Sequence, residues 1–549
     1  MSGATKNLPN DIDTLKALVV AKEALVAANE QRIAELEELL QLALHKRFGA
    51  SSEKANADQL HLFNEAEALS DATPEEPAGA ETETSVAAYT RKKRGRKPID
   101  ASLPRVIVEH DIAETDKTCA CGRCRPCIGE ETSEQLDIVP PKVQVLRHVR
   151  YKYGRHPECI CGEDEGSAVT VAAMPPQPIP KSNASPALLA YIIIAKFCDG
   201  LPLYRLEKIF ARIGAHLCRA TMAGWMIRMG DLIVPLINLM DEVQLGYDIV
   251  QMDETSVQVL KEPGRAPQSK SYMWVRRGGP PDKPVILFDY DPSRAGAVPW
   301  RLLKDFQGIL QTDGYEGYGS VGKRNDIISV GCLAHARRKF DEALKAQKKK
   351  GRGGLAKQGF DFIQGIYRVE REAREQGLDA DQRKALREEK AKPVWDEMRQ
   401  WLDKALPQVP PRTLTGKALG YLDAQWARLI RSLDDGRIEV DNNFCENAIR
   451  PFVMGRKAWL FADTQAGAEA SARLYSLVET AKANGLEPHA YLTYVLTELP
   501  KAVTAEDIEA LLPWRRPSWR RRSCCHRRRR RRRQLLRRRT HHGVGQGRA

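Results

Sequence analysis

The 549-residue sequence has no apolar run long enough to span a membrane, and its polar opening, MSGATKNLPNDID, lacks the apolar stretch of a secretory signal. These absences argue against a membrane protein or an exported one and predict a chain that stays in the cell interior. Most of the chain also lacks net positive charge. The formal charge is +14, but the 16 arginines of residues 515–549, a stretch without acids, leave only 70 basic against 72 acidic residues elsewhere. Affinity for nucleic acid must therefore be argued from local patches, not from the overall pI. The 12 cysteines are not spread as a disulfide framework: six fall at Cys119 to Cys127 and Cys159 to Cys161, and the rest are scattered. That grouping favours metal binding in a reducing compartment. Residues from about Ser70 to Ala88 have hardly a large apolar side chain to bury and read as a disordered linker. The length exceeds what one core supports and predicts three or more domains.

What is present is most informative at three carboxylates. GYDIVQMDETSVQVL, KSYMWVRRG and KPVILFDYDPSR are β-branched and aromatic runs bounded by Gly and Pro, which predicts three successive strands with Asp253 inside the first. A helical stretch around Val298 to Phe306 follows, then the short apolar run GIL, so Asp313 falls just past a fourth strand, where the chain turns at Gly314. Asn442 and Asn443 are placed to cap a helix carrying Glu446 and Arg450 one turn apart on one face. Acids brought from a strand, a strand end and a helix suit Mg²⁺, which takes oxygen ligands. Two such ions, roughly 3.5–4 Å apart, would clamp the attacking and leaving oxygens of a phosphoryl transfer.

The strings QMDET, LQTDGYEGY, GCLAHARRKF, DNNFCENAIRPFVMGRKAWLF and YSLVETAKANGLEP resemble the insertion-sequence-66 family of bacterial DDE transposases. The resemblance also takes in KRFGASSEK, QLHLFNEAE, RGRKP, IGEETSEQLDIVP and LPLYRLEKIFARIG, and it covers nearly everything up to Trp514. It implies an α/β multidomain protein with a ribonuclease-H-like catalytic core, in which Asp253, Asp313 and Glu446 are the metal-binding triad. It further implies the element's terminal inverted repeats and target DNA as substrates, small accessory proteins of the same element as partners, and a place in the bacterial cytoplasm on the nucleoid.

The remaining modules are read from pattern. Ile12, Val19, Val26, Ile33 and Leu40 recur every seven residues, with Leu15 and Leu36 at the second seam position. This is coiled-coil patterning for parallel self-association as a dimer or higher assembly, with Asn29 able to fix register and Lys22 weakening the seam. Arg94, Arg96 and Lys97, in a flexible Arg-Gly-Arg-Lys-Pro segment, suit an AT-rich minor groove. Two pairs of thiolates flanking a β-like stretch suggest a structural Zn²⁺ site. The set Cys121, Cys124, Cys159 and Cys161 is one assignment; Cys124 with Cys127 could replace the first pair and His156 one ligand of the second, whose C-x-C spacing departs from the family's C-x₂-C. LPLYRLEKIFARIGAHLCRATMAGWMIRMG reads as helix, turn, helix, and Arg219, Thr221 and Arg228 are its candidate DNA contacts. Between Asp313 and Glu446 lie 132 residues, more than a ribonuclease-H core needs, so a helical insertion is expected. His335, Arg337, Arg338 and Lys339 precede it and could face phosphates, while Arg450, Arg456 and Lys457 are better placed to neutralise developing charge.

These readings divide the chain into a coiled-coil helix over 1–50, a flexible linker with the basic segment over 51–110, a zinc-binding module over 111–170, and a helix-turn-helix-like domain over 180–244. The first part of the core follows over 245–339, the helical insertion over 340–435, the core's C-terminal helices over 436–500, a C-terminal segment over 501–514 and a disordered Arg-rich tail over 515–549. The tail has two readings, a non-specific DNA-binding extension or a frameshifted end, and its abrupt composition favours the second. The function expected is 3′-end cleavage and strand transfer with two Mg²⁺ ions. A catalytically inactive DNA-binding repressor of the element, or a two-metal nuclease without strand transfer, are the alternatives.

Overall fold

The β-branched and aromatic runs around Asp253 form a mixed sheet. The computed structural model describes residues 11–48, 143–154, 169–346 and 354–515. Of these, 143–149 and 213–215 fall to a small second unit, in which 143–149 form no regular element; all else belongs to the larger unit treated below. The N-terminal helix α1 spans Ile12–Phe48. Strands β1 (Lys152–Gly154) and β2 (Val169–Val171) form a short antiparallel ribbon. Four helices follow: α2 (Pro186–Phe197), α3 (Leu203–Arg212), α4 (Arg219–Leu232) and α5 (Val234–Leu245). α2 begins where Ser185 accepts the Leu188 amide and Pro186 fits the first turn.

The sheet comprises β3 (Ile249–Lys261), β4 (Lys270–Gly278), β5 (Val285–Asp291), β6 (Gly308–Gln311) and β7 (Ile327–Val330), in the order β5-β4-β3-β6-β7. β4 runs antiparallel to both β3 and β5, while β6 is parallel to β3 and β7 to β6. Helix α6 (Ala297–Leu302) makes the crossover from β5 to β6. Side chains alternate across β3, so Val250 and Met252 enter a core with Trp274, Leu303, Phe306 and Leu310, while Gln251 and Asp253 face the other side. Each large side chain sealed in that core contributes roughly 1.5–3 kcal/mol.

The open edge of β5 is covered by helix α13 (Gln465–Ala483). Ser476 Oγ accepts the Phe288 amide (2.8 Å), and Thr480 Oγ1 both accepts from the Ile286 amide (3.0 Å) and donates to its carbonyl (2.8 Å). Hydroxyls thus replace the missing neighbour strand and block further strand addition. On its other side α13 lies close to α4, so that a Cβ at Gly230 would meet Ala470 at 2.7 Å.

After β7 come α7 (Leu333–Lys345) and a run of helices, α8 (Leu355–Gln376), α9 (Ala380–Leu386), a π-helical turn at Arg387–Ala391, α10 (Lys392–Ala405) and α11 (Leu414–Leu429). No strand interrupts the described residues between β7 and Ala462. These helices bury a core of their own with Phe340, Ile363, Trp395, Met398, Leu402 and Leu422. The chain returns to the sheet through α12 (Asn443–Trp459), then β8 (Ala462–Thr464) beside the far end of β3, α13, α14 (Pro488–Glu498) and α15 (Ala505–Glu509). Overall the fold is mixed α/β. No single helix among the described residues is long and apolar enough to cross a membrane.

Along α1 the heptad seam is open: Ile12, Val19, Val26, Ile33, Leu36 and Leu40 are all exposed. The C-terminal half of the helix packs elsewhere, where Leu42 is buried and Glu38 accepts the Leu414 amide (2.9 Å). These six seam positions therefore do not pack against the described residues of their own chain.

Candidate active site

Asp253 sits in the middle of the longest strand, Asp313 two residues beyond the end of β6, and Glu446 in the first turn of α12. The parallel pairing of β3 with β6 sets Gln251 beside Gln311, so the chain leaving β6 carries Asp313 alongside Asp253. Glu446 is brought in by the residues just before its helix. Asn442 donates from Nδ2 to the carbonyl of Met252 (3.0 Å), next to Asp253, and Cys445 Sγ contacts the Val275 carbonyl (3.5 Å) opposite it. Contrary to expectation, neither asparagine side chain caps the helix. Asn442 occupies the cap position, but its side chain is committed to β3, and Asp441 accepts the Asn443 amide instead (3.1 Å). Tyr367 donates to the same carboxylate (3.0 Å), and burial pushes Asp441 up to about 6.

Burial, and then the charges of Glu446, Glu254 and Asp313, raise Asp253 well above the usual carboxylate range. Backbone amides hold two of the carboxylates: Glu254 donates to Asp253 Oδ1 (2.8 Å) and Tyr315 to Asp313 Oδ1 (2.9 Å). Gly314 has no room for a side chain, because a Cβ there would lie 2.9 Å from Tyr421 of α11. Crowded, oxygen-only donors of like charge fit a hard divalent cation such as Mg²⁺, which would relieve their repulsion.

Several neighbours carry signals too weak to be found in the sequence. Glu254 faces the opposite side of β3 from Asp253, with its side chain 2% exposed, and accepts from Arg294 Nε (2.8 Å) and the Tyr318 hydroxyl. Arg294 lies over Tyr315 (3.8 Å to the ring centroid), whose hydroxyl returns to the Arg294 carbonyl (2.9 Å). This clamp braces the loop that carries Asp313. Only the adjacency of two acids in QMDET hinted at it.

The basic candidates separate. Arg338 lies 3.7 Å from Glu446 Oε2. Arg337 does not face the site: it is buried and stacked on Phe360 (4.7 Å), because its position on α7 points into the insertion's core. Lys339 lies over Tyr421 (4.9 Å). Burial, with Arg338 and Lys339 nearby, lowers His335 to about 3, so its imidazole is neutral. Arg450 is one turn beyond Glu446 and half-buried; Arg456 binds Thr255 Oγ1 (3.2 Å) and Ser256 on β3, while Lys457 is half-buried on the same helix. Arg219, Thr221 and Arg228 are exposed on α4, whose Met222, Trp225, Met226 and Met229 are buried, with Thr221 Oγ1 3.1 Å from Cys218 Sγ. Arg94, Arg96 and Lys97, and the candidate zinc ligands Cys121, Cys124, Cys159 and Cys161, lie outside the described residues.

Comparison with known proteins accounts for most of the chain. The family described as Transposase IS66 family matches residues 181–470, and its C-terminal element matches 476–514. The zinc-finger binding domain of transposase IS66 matches residues 116–154, and a domain described as Transposase C of IS166 homeodomain matches 35–108. Among relatives, the uncharacterized protein y4qI of Sinorhizobium fredii is 33% identical over 549 residues, covering 92% of this chain and 97% of that protein. A second uncharacterized protein of that organism, y4jD, is 33% identical over 427 residues, covering 75% of this chain and 81% of its own length. With acids gathered on a mixed sheet and matches reaching from residue 35 to 514, the chain belongs to the IS66 family of transposases.

Proposed function

We propose that this chain cleaves the 3′ ends of its insertion sequence and joins them to target DNA, with Asp253, Asp313 and Glu446 holding two Mg²⁺ ions. One observation carries the reading: the charges acting most strongly on the half-buried Asp253 are all negative, from its strand neighbour Glu254, from Asp313 beyond β6 and from Glu446 on α12. The mixed sheet, with acids on its central strand and at the end of the next, is compatible with the ribonuclease-H-like core that the family resemblance implies.

When bound, the two ions would activate the attacking oxygen and offset charge on the leaving one. The chain's own groups position and screen. The Glu254 and Tyr315 amides orient two carboxylates, and α12 sets the third from its first turn. Arg338, beside Glu446, and Arg450, one turn along, place positive charge where a phosphate would approach. Water attacks a phosphodiester at the element end and frees its 3′-hydroxyl; that hydroxyl then attacks a target phosphodiester. The second step exchanges one phosphodiester for another, so no nucleotide cofactor is required.

Around this chemistry we assign end recognition to Arg219, Thr221 and Arg228 on α4 and to the segment of Arg94, Arg96 and Lys97, and phosphate contacts to Arg456 and Lys457. Structural Zn²⁺ is assigned to Cys121, Cys124, Cys159 and Cys161, and self-association to the open seam of α1. Accessory proteins of the element would join the complex in the bacterial cytoplasm. Val26→Glu should abolish self-association in sedimentation without altering the fold; unchanged assembly would move the interface elsewhere.

The test is a Mg²⁺-dependent cleavage and joining assay on DNA carrying the element's ends, with the full chain, a truncation after Trp514, and Asp253→Ala. Joined products from the first two and none from the third support the reading. Cleavage without joining would make the protein a nuclease, and end binding without products a repressor.

A further inference from the structure

We propose that Cys332, His335 and Glu446 form a second kind of metal site, selective for thiophilic divalent ions such as Zn²⁺ or Cd²⁺. Cys332 occupies the cap position of α7, His335 lies one turn into that helix, and Glu446 reaches in from α12; one donor atom from each lies within 4.8 Å of the other two. Tetrahedral zinc, with bonds of about 2.0–2.3 Å, needs donors roughly 3.5 Å apart, so a contraction of about an ångström brings these three into place and leaves the fourth position to water.

Three details point to a ligand. His335 Nδ1 is sealed from solvent and has no hydrogen-bond partner among the described residues, although 23% of the side chain is exposed; Glu446 Oε1 lies 3.8 Å from it. Cys332 Sγ accepts the Asn442 amide (3.2 Å), the kind of N–H···S bond that orients a metal thiolate; burial, with Glu446 and Asp441 nearby, pushes the free thiol up, so its ionisation comes with the ion. Glu446 divides its carboxylate, Oε1 toward His335 and Oε2 toward Arg338 (3.7 Å), so one oxygen can bind metal while the other keeps its counter-charge.

Sulfur and imidazole nitrogen match Zn²⁺ and Cd²⁺ and are poor partners for Mg²⁺, which keeps to oxygen. On binding, the thiol proton passes to buffer and the thiolate donates an electron pair; no oxidation state changes. Thiolate and carboxylate together neutralise the ion. Because Glu446 also belongs to the carboxylate set, occupancy withdraws it from the Mg²⁺ site, making the thiophilic ion an inhibitor; this consequence rests on the function proposed above.

The experiment equilibrates full-length wild type, Cys332→Ser and His335→Gln with chelator-buffered Zn²⁺ and counts bound zinc by mass spectrometry. The zinc module is common to all three, so wild type should hold one equivalent more than either variant, and equal counts overturn the site. Melting curves without added metal show whether each variant is folded, and His335→Gln serves if Cys332→Ser is not. In the cleavage assay with Mg²⁺, Zn²⁺ should inhibit wild type at levels that spare Cys332→Ser. Equal inhibition of both would overturn the shared role of Glu446. Absence of Mg²⁺-dependent cleavage in every protein would count against the proposed function, while the zinc count would still decide the site.

Discussion

Asp253 of the sheet, half-buried, and Glu370 of the helical insertion, fully buried, are carboxylates drawn away from water that the chain treats in opposite ways. Burial would raise Glu370, but Arg387 (Nε at 2.6 Å, Nη2 at 3.0 Å) and Arg383 (Nε at 2.9 Å) outweigh it and hold the group below its usual value. Arg387 also spends its remaining donors on the carbonyls of Ser432, Asp435 and Ile438, and Arg383 binds Glu439. Asp253 is also raised by burial, but its principal charged neighbours are three more acids. Where buried charge serves the fold, the sequence supplies the cations, here one helical turn apart at 383 and 387. Around Asp253 the strongest charges are acidic, and that negative charge is available to a ligand.

The largest change to this contrast comes from stripping Glu370 of its main partner. Arg387→Met leaves a buried carboxylate undercompensated and should cost about 3–5 kcal/mol in urea unfolding. A loss below about 1 kcal/mol would show that the cluster does not hold the insertion together. An intermediate effect is expected at Glu254, which stands between the two cases, with one arginine and a tyrosine for partners. Arg294→Ala should cost about 1–3 kcal/mol by leaving that side chain underbonded, and should speed hydrogen exchange over 313–318. Unchanged exchange there would refute the bracing of the Asp313 loop. The smallest effect is in pH. Glu370, held low, contributes stability above the ordinary carboxylate range and loses it only as the pH falls through its depressed value. Asp253, held high, does the reverse: it costs stability at neutral pH, and that cost is relieved as the pH falls toward the ordinary carboxylate range. The metal-free calorimetric difference between Asp253→Asn and wild type should therefore shrink from pH 7 to pH 5; a constant difference would mean that Asp253 is not perturbed.

Strands β3 to β6 were legible because their β-branched runs are bounded by Gly and Pro, and the helical character of the insertion because it lacks such runs. The placement of Asp253, Asp313 and Glu446 on strand, strand end and helix was legible for the same reasons. What was not legible depends on pairing across long separations. Asn442 reads locally as a cap, yet its side chain is committed to Met252, 190 residues earlier, and Arg337 reads as one of three basic surface residues until Phe360 folds over it. Likewise Ser476 and Thr480 look like ordinary helix residues; only the uncovered edge of β5 gives them their role.

Thermal unfolding of wild type and Asp253→Asn, each with and without Mg²⁺, tests most directly whether the acids around Asp253 form a cation site. Without metal, removing one charge from the cluster should raise the melting temperature above wild type, and Mg²⁺ should then stabilise wild type while leaving Asp253→Asn nearly unchanged. An Asp253→Asn protein that melts below wild type without metal, or that gains as much from Mg²⁺ as wild type does, would contradict it.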